Sequence, residues 1–149
     1  MSQKPQVLTN PLTNRGTAFT HEQRAQLGLV GRLPAVVETL DQQAARAYKQ
    51  ISAYETALEK DIYLDQLHNC NEVLYYRVIT EHLADMRPIL YDPTIGEAIK
   101  KWSGDYRQSR AVYLAIDRPD YVRASSDTMG RGPDGIALQV VTDAQEFPG

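Results

Sequence analysis

One short pattern recurs along the chain and requires that much of it be helical. Four times a threonine is followed three residues later by glutamate or glutamine, with apolar residues at helical spacing beyond it. In such a capping box the two side chains satisfy backbone N–H groups that the first helical turn leaves without partners. We therefore predict a helix beginning at each threonine. The four pairs are Thr20 with Gln23, Thr39 with Gln42, Thr56 with Glu59, and Thr94 with Glu97.

The apolar residues behind these caps follow the period of one helix face. From Leu40 they recur every three or four residues, which predicts a helix with a buried stripe. A second helix is predicted from about Leu58 and a third from about Glu72. The third should end near Arg87, because Pro88 disfavours helical dihedral angles at the residue before it. The three helices are expected to pack as a bundle. The stripe of the first helix consists of Ala44, Ala47, Tyr48, Ile51 and Tyr54.

The period changes after Arg110. Residues 111–116 and 136–142 are short apolar runs rich in β-branched residues, and the polar segment 119–129 separates them. This order predicts a strand, a helix and a second strand, with the strands parallel and the crossover right-handed. Two parallel strands leave open edges and an uncovered face. We therefore expect this unit to be the beginning of an α/β domain that these residues do not complete.

The predicted domain organisation has three parts. Residues 1–15 carry no periodic pattern and are expected to form an extended arm. Residues 16–110 are predicted to be a helical domain, and residues 111–149 the incomplete start of an α/β domain. The expected fold class is mainly α, with one β-α-β unit after the helices.

Charge and hydropathy exclude several classes of protein. The net charge is −3 and the pI about 5.6, whereas proteins that bind the nucleic-acid backbone are typically basic. No apolar run approaches the roughly 20 residues needed to cross a bilayer, and the segment MSQKPQVLTN lacks the apolar stretch of a signal peptide. We expect a cytoplasmic protein that binds neither nucleic acid nor membrane.

Side chains that could ligate a metal or act as nucleophiles are few. The single cysteine, Cys70, forbids an internal disulfide and is interpreted as a small, partly buried core residue. The three histidines, His21, His68 and His82, lack the spacing of a metal site. His68 and His82 are interpreted as ordinary histidines on helix surfaces or in packing contacts.

Tyr91 lies in the most distinctive stretch of the sequence. Pro88 and Pro93 stiffen the chain around it, and the predicted helix that begins at Thr94 follows at once. A phenol at the positive end of a helix could donate a proton or bind an anion. The residues alone leave open the simpler alternative, in which Tyr91 is an aromatic core residue in a rigid loop.

Five motifs in the same order make the chain resemble the N-terminal domain of malic enzymes and the related malolactic enzymes. The similarity extends from about Asn14 to Asp143, nearly the whole chain. The motifs are residues 14–20 (NRGTAFT), 27–34 (LGLVGRLP), 71–77 (NEVLYYR), 88–98 (PILYDPTIGEA) and 140–143 (VVTD).

The resemblance implies a function for Tyr91. In that family the tyrosine of the Tyr-x-Pro-Thr motif is the general acid that protonates the enolate formed when malate loses carbon dioxide. It implies a malic enzyme that uses NAD or NADP with Mg²⁺ or Mn²⁺ and forms homodimers. The lysine base, the metal ligands and the dinucleotide-binding domain of that family follow the part that matches this chain, so we expect no cofactor or metal to bind these 149 residues alone.

Two alternatives stay open at this stage. The same motifs are compatible with a malolactic enzyme, which converts malate to lactate. The 149 residues are also compatible with a protein that dimerises or binds a partner without catalysis.

A second implied site matches only in part. Some animal relatives are activated by fumarate through a glutamine and two arginines; Gln43 and Arg46 match two of these, but Cys70 stands at the third position. Fumarate activation is not expected, and Gln43 and Arg46 are interpreted as solvated helix positions or as interface hydrogen-bonding groups.

Overall fold

The computed structural model describes residues 5–105 and 112–128. These residues form α-helices and three short 3-10 helices, and they contain no strand, so the fold is mainly α. The chain divides into two compact units between Gly104 and Asp105. The helices are α1 (His21–Gln26), α2 (Leu40–Ser52), α3 (Ala57–Cys70), α4 (Glu72–Glu81), α5 (Leu83–Leu90), α6 (Thr94–Asp105) and α7 (Val122–Asp127).

The predicted helix starts are confirmed, and three of the four carry a complete capping box. Thr20, Thr39 and Thr56 each accept a hydrogen bond from the backbone amide three residues on, and each threonine amide in turn donates to the side-chain oxygen of that residue. The fourth differs, because Thr94 is the first residue of α6 and its hydroxyl donates to the carbonyl of Pro88. Asn71, which the pattern did not single out, caps α4 by accepting from the amide of Leu74.

The predicted bundle is confirmed in the first unit, where α2 packs against α4, and α3 against α4 and α5. Ala44 and Ala47 on α2 are buried, and side chains this small allow two helices to approach closely. Burial of each larger aliphatic side chain contributes roughly 1.5 to 3 kcal/mol. The core consists of Ala44, Ala47, Ile51, Leu64, Leu74, Val78, Met86 and Ile89.

The predicted end of the third helix was wrong. The helix breaks earlier, at His82 (φ −126°, ψ 37°), and then continues as α5 through Pro88 to Leu90. A proline inside a helix costs about 3 kcal/mol, because it removes an N–H donor and crowds the preceding turn. The neighbouring Met86 and Ile89 are buried in the core, and their burial offsets a cost of this size.

The expected extended arm instead folds onto the helical unit. Residues 6–8 form a 3-10 helix, and Leu8 packs with Phe19 and Leu29 in a second, smaller core. Turns follow, and the Asn14 side chain then donates to the carbonyl of Cys70 at 2.8 Å. The N-terminal segment therefore contacts the junction of α3 and α4 within its own chain.

The second unit is described over residues 112–128. The helix predicted between the strands is present, as a 3-10 turn at Pro119–Tyr121 followed by α7. The expected first strand is not formed at residues 112–116, since a strand requires a hydrogen-bonded neighbour and none of the described residues pairs with this segment. The second expected strand, 136–142, lies outside the described residues. Across the described parts of the chain, every helix is too short or too polar to span a bilayer.

Candidate functional site

Tyr91 lies in the three-residue connection between α5 and α6. Its backbone is extended (φ −137°, ψ −166°), and its amide donates to the carbonyl of Arg87 at 3.1 Å. The side chain is 69% exposed, so the ring is not part of the core of this unit. The connection is thus as tight as the two prolines suggested, and the phenol projects from it.

Buried Thr94 fastens this connection from its far end. Its hydroxyl donates to the carbonyl of Pro88 at 2.8 Å, and its side chain is only 2% exposed. The bond joins the start of α6 to the last turn of α5. The backbone on both sides of Tyr91 is therefore held, although its side chain lies in solvent.

The positive end of α6 is partly occupied by the chain itself. The amides of Thr94 and Ile95 donate to the carbonyl of Tyr91 at 3.0 and 3.3 Å. These are among the first amides of the helix, which otherwise attract anions. The Tyr91 hydroxyl, in contrast, makes no hydrogen bond with any described residue. The phenolic O–H of Tyr91 is therefore exposed and not engaged by any described residue.

A buried arginine, which sequence reasoning missed, organises the segment before α2. Arg24 is only 5% exposed, and its guanidinium donates to backbone carbonyl groups at 2.6 to 3.3 Å. We call this arrangement the Arg24 clasp. The sequence offered little indication of this burial, because an arginine in a short helix is usually exposed. The accepting carbonyls belong to Thr17, Phe19, Pro34, Ala35 and Val36.

Beside the clasp, Glu38 joins two elements. Its carboxylate accepts from the Thr17 hydroxyl at 2.5 Å and pairs with Arg46 at 2.7 Å. The Thr17 hydrogen bond, followed by the contact with Arg46, lowers the pKa of Glu38 below its ordinary value of 4.5. Arg46, which is about half exposed, is thus an ion-paired residue of α2.

Gln43 and Cys70 do not lie where the sequence suggested. Gln43 is 2% exposed rather than solvated, and its oxygen faces Gly16, where an added Cβ would lie 2.7 Å from it. Gly16 has φ +54°, a backbone conformation that favours glycine. Cys70 is exposed at the end of α3, not partly buried.

His68 and His82 both lie in packing contacts, one of the two alternatives that the sequence left open for them. His82 stacks on Tyr48 with ring centroids 3.5 Å apart, and His68 lies 4.4 Å from the ring of Tyr75. The Tyr48 hydroxyl donates to Asp85 at 2.7 Å, and this bond raises the pKa of the phenol. Within residues 5–105 and 112–128, no three histidine, cysteine or acidic side chains come together as metal ligands would.

Comparison with known proteins identifies the family. The family model described as "Malic enzyme, N-terminal domain" matches residues 68–149. This match covers more than half of the chain and includes Tyr91. This chain belongs to the malic enzyme family. Its similarity to individual members extends further, over almost all of its residues.

Three relatives illustrate this similarity. The chain is 46% identical over 144 residues to NAD-dependent malic enzyme 3 of Bacillus subtilis, and 41% identical over 144 residues to NAD-dependent malic enzyme 2 of Vibrio vulnificus. It is also 41% identical over 144 residues to the malolactic enzyme of Leuconostoc mesenteroides. These matches cover 96% to 97% of this chain but only 25% to 26% of each relative. The chain therefore spans about a quarter of the length of the curated relatives it matches.

Proposed function

We propose that these residues are the N-terminal part of an NAD-dependent malic enzyme, which converts (S)-malate to pyruvate and carbon dioxide. The observation that carries this proposal is the similarity, over nearly the whole chain, to proteins named NAD-dependent malic enzyme. NADP is the alternative cofactor, since the residues that select between the two lie in a dinucleotide-binding domain.

The proposed role of Tyr91 is that of the general acid. After malate is oxidised and loses carbon dioxide, an enolate of pyruvate is left. The O–H bond of the Tyr91 phenol breaks as a C–H bond forms at C3 of the enolate, and solvent later restores the proton. A mobile, solvated side chain would lose entropy on reaching the substrate. The fixed backbone of the α5–α6 connection reduces that loss, because only the side chain must be positioned.

The remaining machinery is assigned to sequence beyond these residues. Because the chain spans only about a quarter of each relative, we place the Mg²⁺ or Mn²⁺ ligands, the lysine base and the NAD domain in the rest of the enzyme. We further propose that residues 111–149 complete a strand, helix and strand once the rest of that α/β domain covers them. The helical domain 16–110 is proposed to form the homodimer, in an enzyme of the cytoplasm.

The first experiment is the mass of the native protein in its source cells, detected with an antibody against this chain. A band several times heavier than 16.8 kDa is expected. A band near that mass would contradict the proposal and favour a dimerising or binding protein without catalysis.

The proposed role of Tyr91 is tested by Tyr91→Phe in the complete enzyme. Removing the proton donor should lower kcat about a hundredfold to ten-thousandfold, the usual contribution of a general acid. Tyr76→Phe, at another exposed tyrosine, is the matched control and should leave kcat unchanged. Normal turnover of Tyr91→Phe would exclude the assignment.

Malolactic conversion is the second candidate, because a malolactic enzyme is among the relatives at 41% identity. A product assay separates the two. A malic enzyme forms pyruvate and one NADH per malate, whereas a malolactic enzyme forms lactate with no net NADH.

A further inference from the structure

A cavity of about 460 Å³ lies among α2, α3 and α5 and opens to solvent. Such a volume falls within the 300 to 1,000 Å³ typical of small-molecule sites. Its apolar wall is formed by the core residues Ile51, Met86 and Ile89 together with Pro88. Tyr91 does not line it, so the cavity is separate from the proposed catalytic position.

Two opposite charges line the cavity. Lys60 on α3 supplies an ammonium group, and Asp85 on α5 supplies a carboxylate. Among the residues that the structure describes, no ion pair joins Lys60 to Asp85 or to any other carboxylate. Lys60 and Asp85 thus line the same cavity without forming an ion pair with each other.

The acidic side of the cavity is held in place. The Tyr48 hydroxyl donates to Oδ2 of Asp85 at 2.7 Å, and the Tyr48 ring is stacked on His82. Oδ1 of Asp85 remains as an acceptor. The Ser52 hydroxyl, also in the lining, donates to the carbonyl of Tyr48. Lys60 is the cation that the lining supplies for an anionic ligand group.

We propose that this cavity binds a small α-amino acid with an apolar side chain. The carboxylate of the ligand pairs with Lys60, its ammonium group pairs with Asp85, and its side chain lies against Ile51, Met86 and Ile89. A ligand with only a carboxylate would pair with Lys60 and leave Asp85 without a counterion. A ligand with only an ammonium group would pair with Asp85 and leave Lys60 without one. A zwitterion satisfies both charges at once, and charge-assisted hydrogen bonds are the stronger kind.

The position of the cavity gives such binding a consequence. Pro88 and Ile89 belong to the last turn of α5, and the carbonyl of Pro88 is the acceptor that anchors Thr94. A bound amino acid therefore contacts the helix that ends at Tyr91. The site is suited to a regulatory ligand rather than to a substrate.

The test uses three probes of similar size with the 149-residue chain: L-leucine, 4-methylpentanoate and 3-methylbutylamine. Titration is followed by backbone amide NMR shifts. L-leucine should saturate with a Kd on the order of 1 mM, as expected for so few atoms. The two singly charged probes should each bind at least tenfold more weakly. The shifted amides should lie in α2, α3 and α5.

Two variants assign the charges. Lys60→Gln should weaken the binding of L-leucine at least tenfold, so that L-leucine no longer binds more tightly than 3-methylbutylamine. Asp85→Asn should make L-leucine bind no more tightly than 4-methylpentanoate. Lys49→Gln, at an exposed lysine of α2 outside the cavity, is the control and should bind normally. Circular dichroism establishes that each variant is folded. Linear, non-saturating shifts, or equal binding of all three probes, would overturn the proposal, and neither result depends on catalysis.

Discussion

The Arg24 clasp and the Tyr91 connection use hydrogen bonds in opposite ways. At Arg24 a charged side chain is buried, and its donors are directed at backbone carbonyls. At Tyr91 the backbone makes the hydrogen bonds, and the side chain is exposed with a hydroxyl that no described residue engages. The first arrangement stabilises the fold through the side chain. The second holds a main-chain segment and keeps a reactive group available.

This difference has a physical reason. A buried polar group is tolerated only when its hydrogen bonds are made, so a side chain in the clasp has no capacity left for a substrate. A catalytic group must exchange its partner during the reaction and therefore cannot be committed to the fold. Four substitutions test whether the two regions divide stability and function in this way.

Arg24→Met should have the largest effect on stability. It leaves several backbone carbonyls without donors and should lower the free energy of unfolding by about 3 kcal/mol or more. The measurement is urea denaturation of the 149-residue chain. Arg46→Met is the matched control, since its ion pair with Glu38 is half exposed and worth at most about 1 kcal/mol. Equal losses for the two variants would contradict the clasp.

Thr94→Val should have an intermediate effect. The substitution keeps the shape but removes the donor to the Pro88 carbonyl, at an expected loss of about 1 to 2 kcal/mol. Thr80→Val is the control, because the Thr80 hydroxyl also donates to a backbone carbonyl but is exposed, and the loss there should be about 0.5 kcal/mol or less. If both variants unfold at the same urea concentration, Thr94 does not anchor the connection.

Glu38→Gln should change how stability depends on pH. The pKa of Glu38 is lowered in the folded chain by Thr17 and Arg46, so its contribution is present above its unfolded pKa and is lost as pH falls through the folded value. The variant should therefore lose less stability than the wild type below about pH 4.5. Glu22 and Glu59 also have lowered pKa values, so part of the acid sensitivity should remain. Identical acid profiles would mean that Glu38 contributes nothing.

Tyr91→Phe should have the smallest effect on stability. Its hydroxyl makes no hydrogen bond to a described residue, so the free energy of unfolding should stay within about 0.5 kcal/mol of wild type. Together with the large loss of kcat expected in the complete enzyme, this result would show that the Tyr91 hydroxyl serves catalysis and not stability. A stability loss above 1 kcal/mol would show that the side chain supports the fold instead.

The sequence by itself determined where the four helices behind the threonine caps begin and which face of α2 is buried. Both depend on interactions within a few residues: a capping box spans one turn, and the stripe through Ala44, Ala47 and Ile51 repeats every three or four positions. The five motifs together likewise indicated the family from the sequence alone, although the catalytic role of Tyr91 stays a prediction.

Only the tertiary structure decided the rest, because those features depend on residues far apart in the chain. The sequence could not show that Arg24 would be buried among carbonyls from two separate segments of the chain, or that α5 would continue through Pro88. It also could not bring Lys60 and Asp85 to one cavity. For α5, packing of Met86 and Ile89 against the core outweighed the local preference of Pro88, and that balance exists only once the helices have assembled.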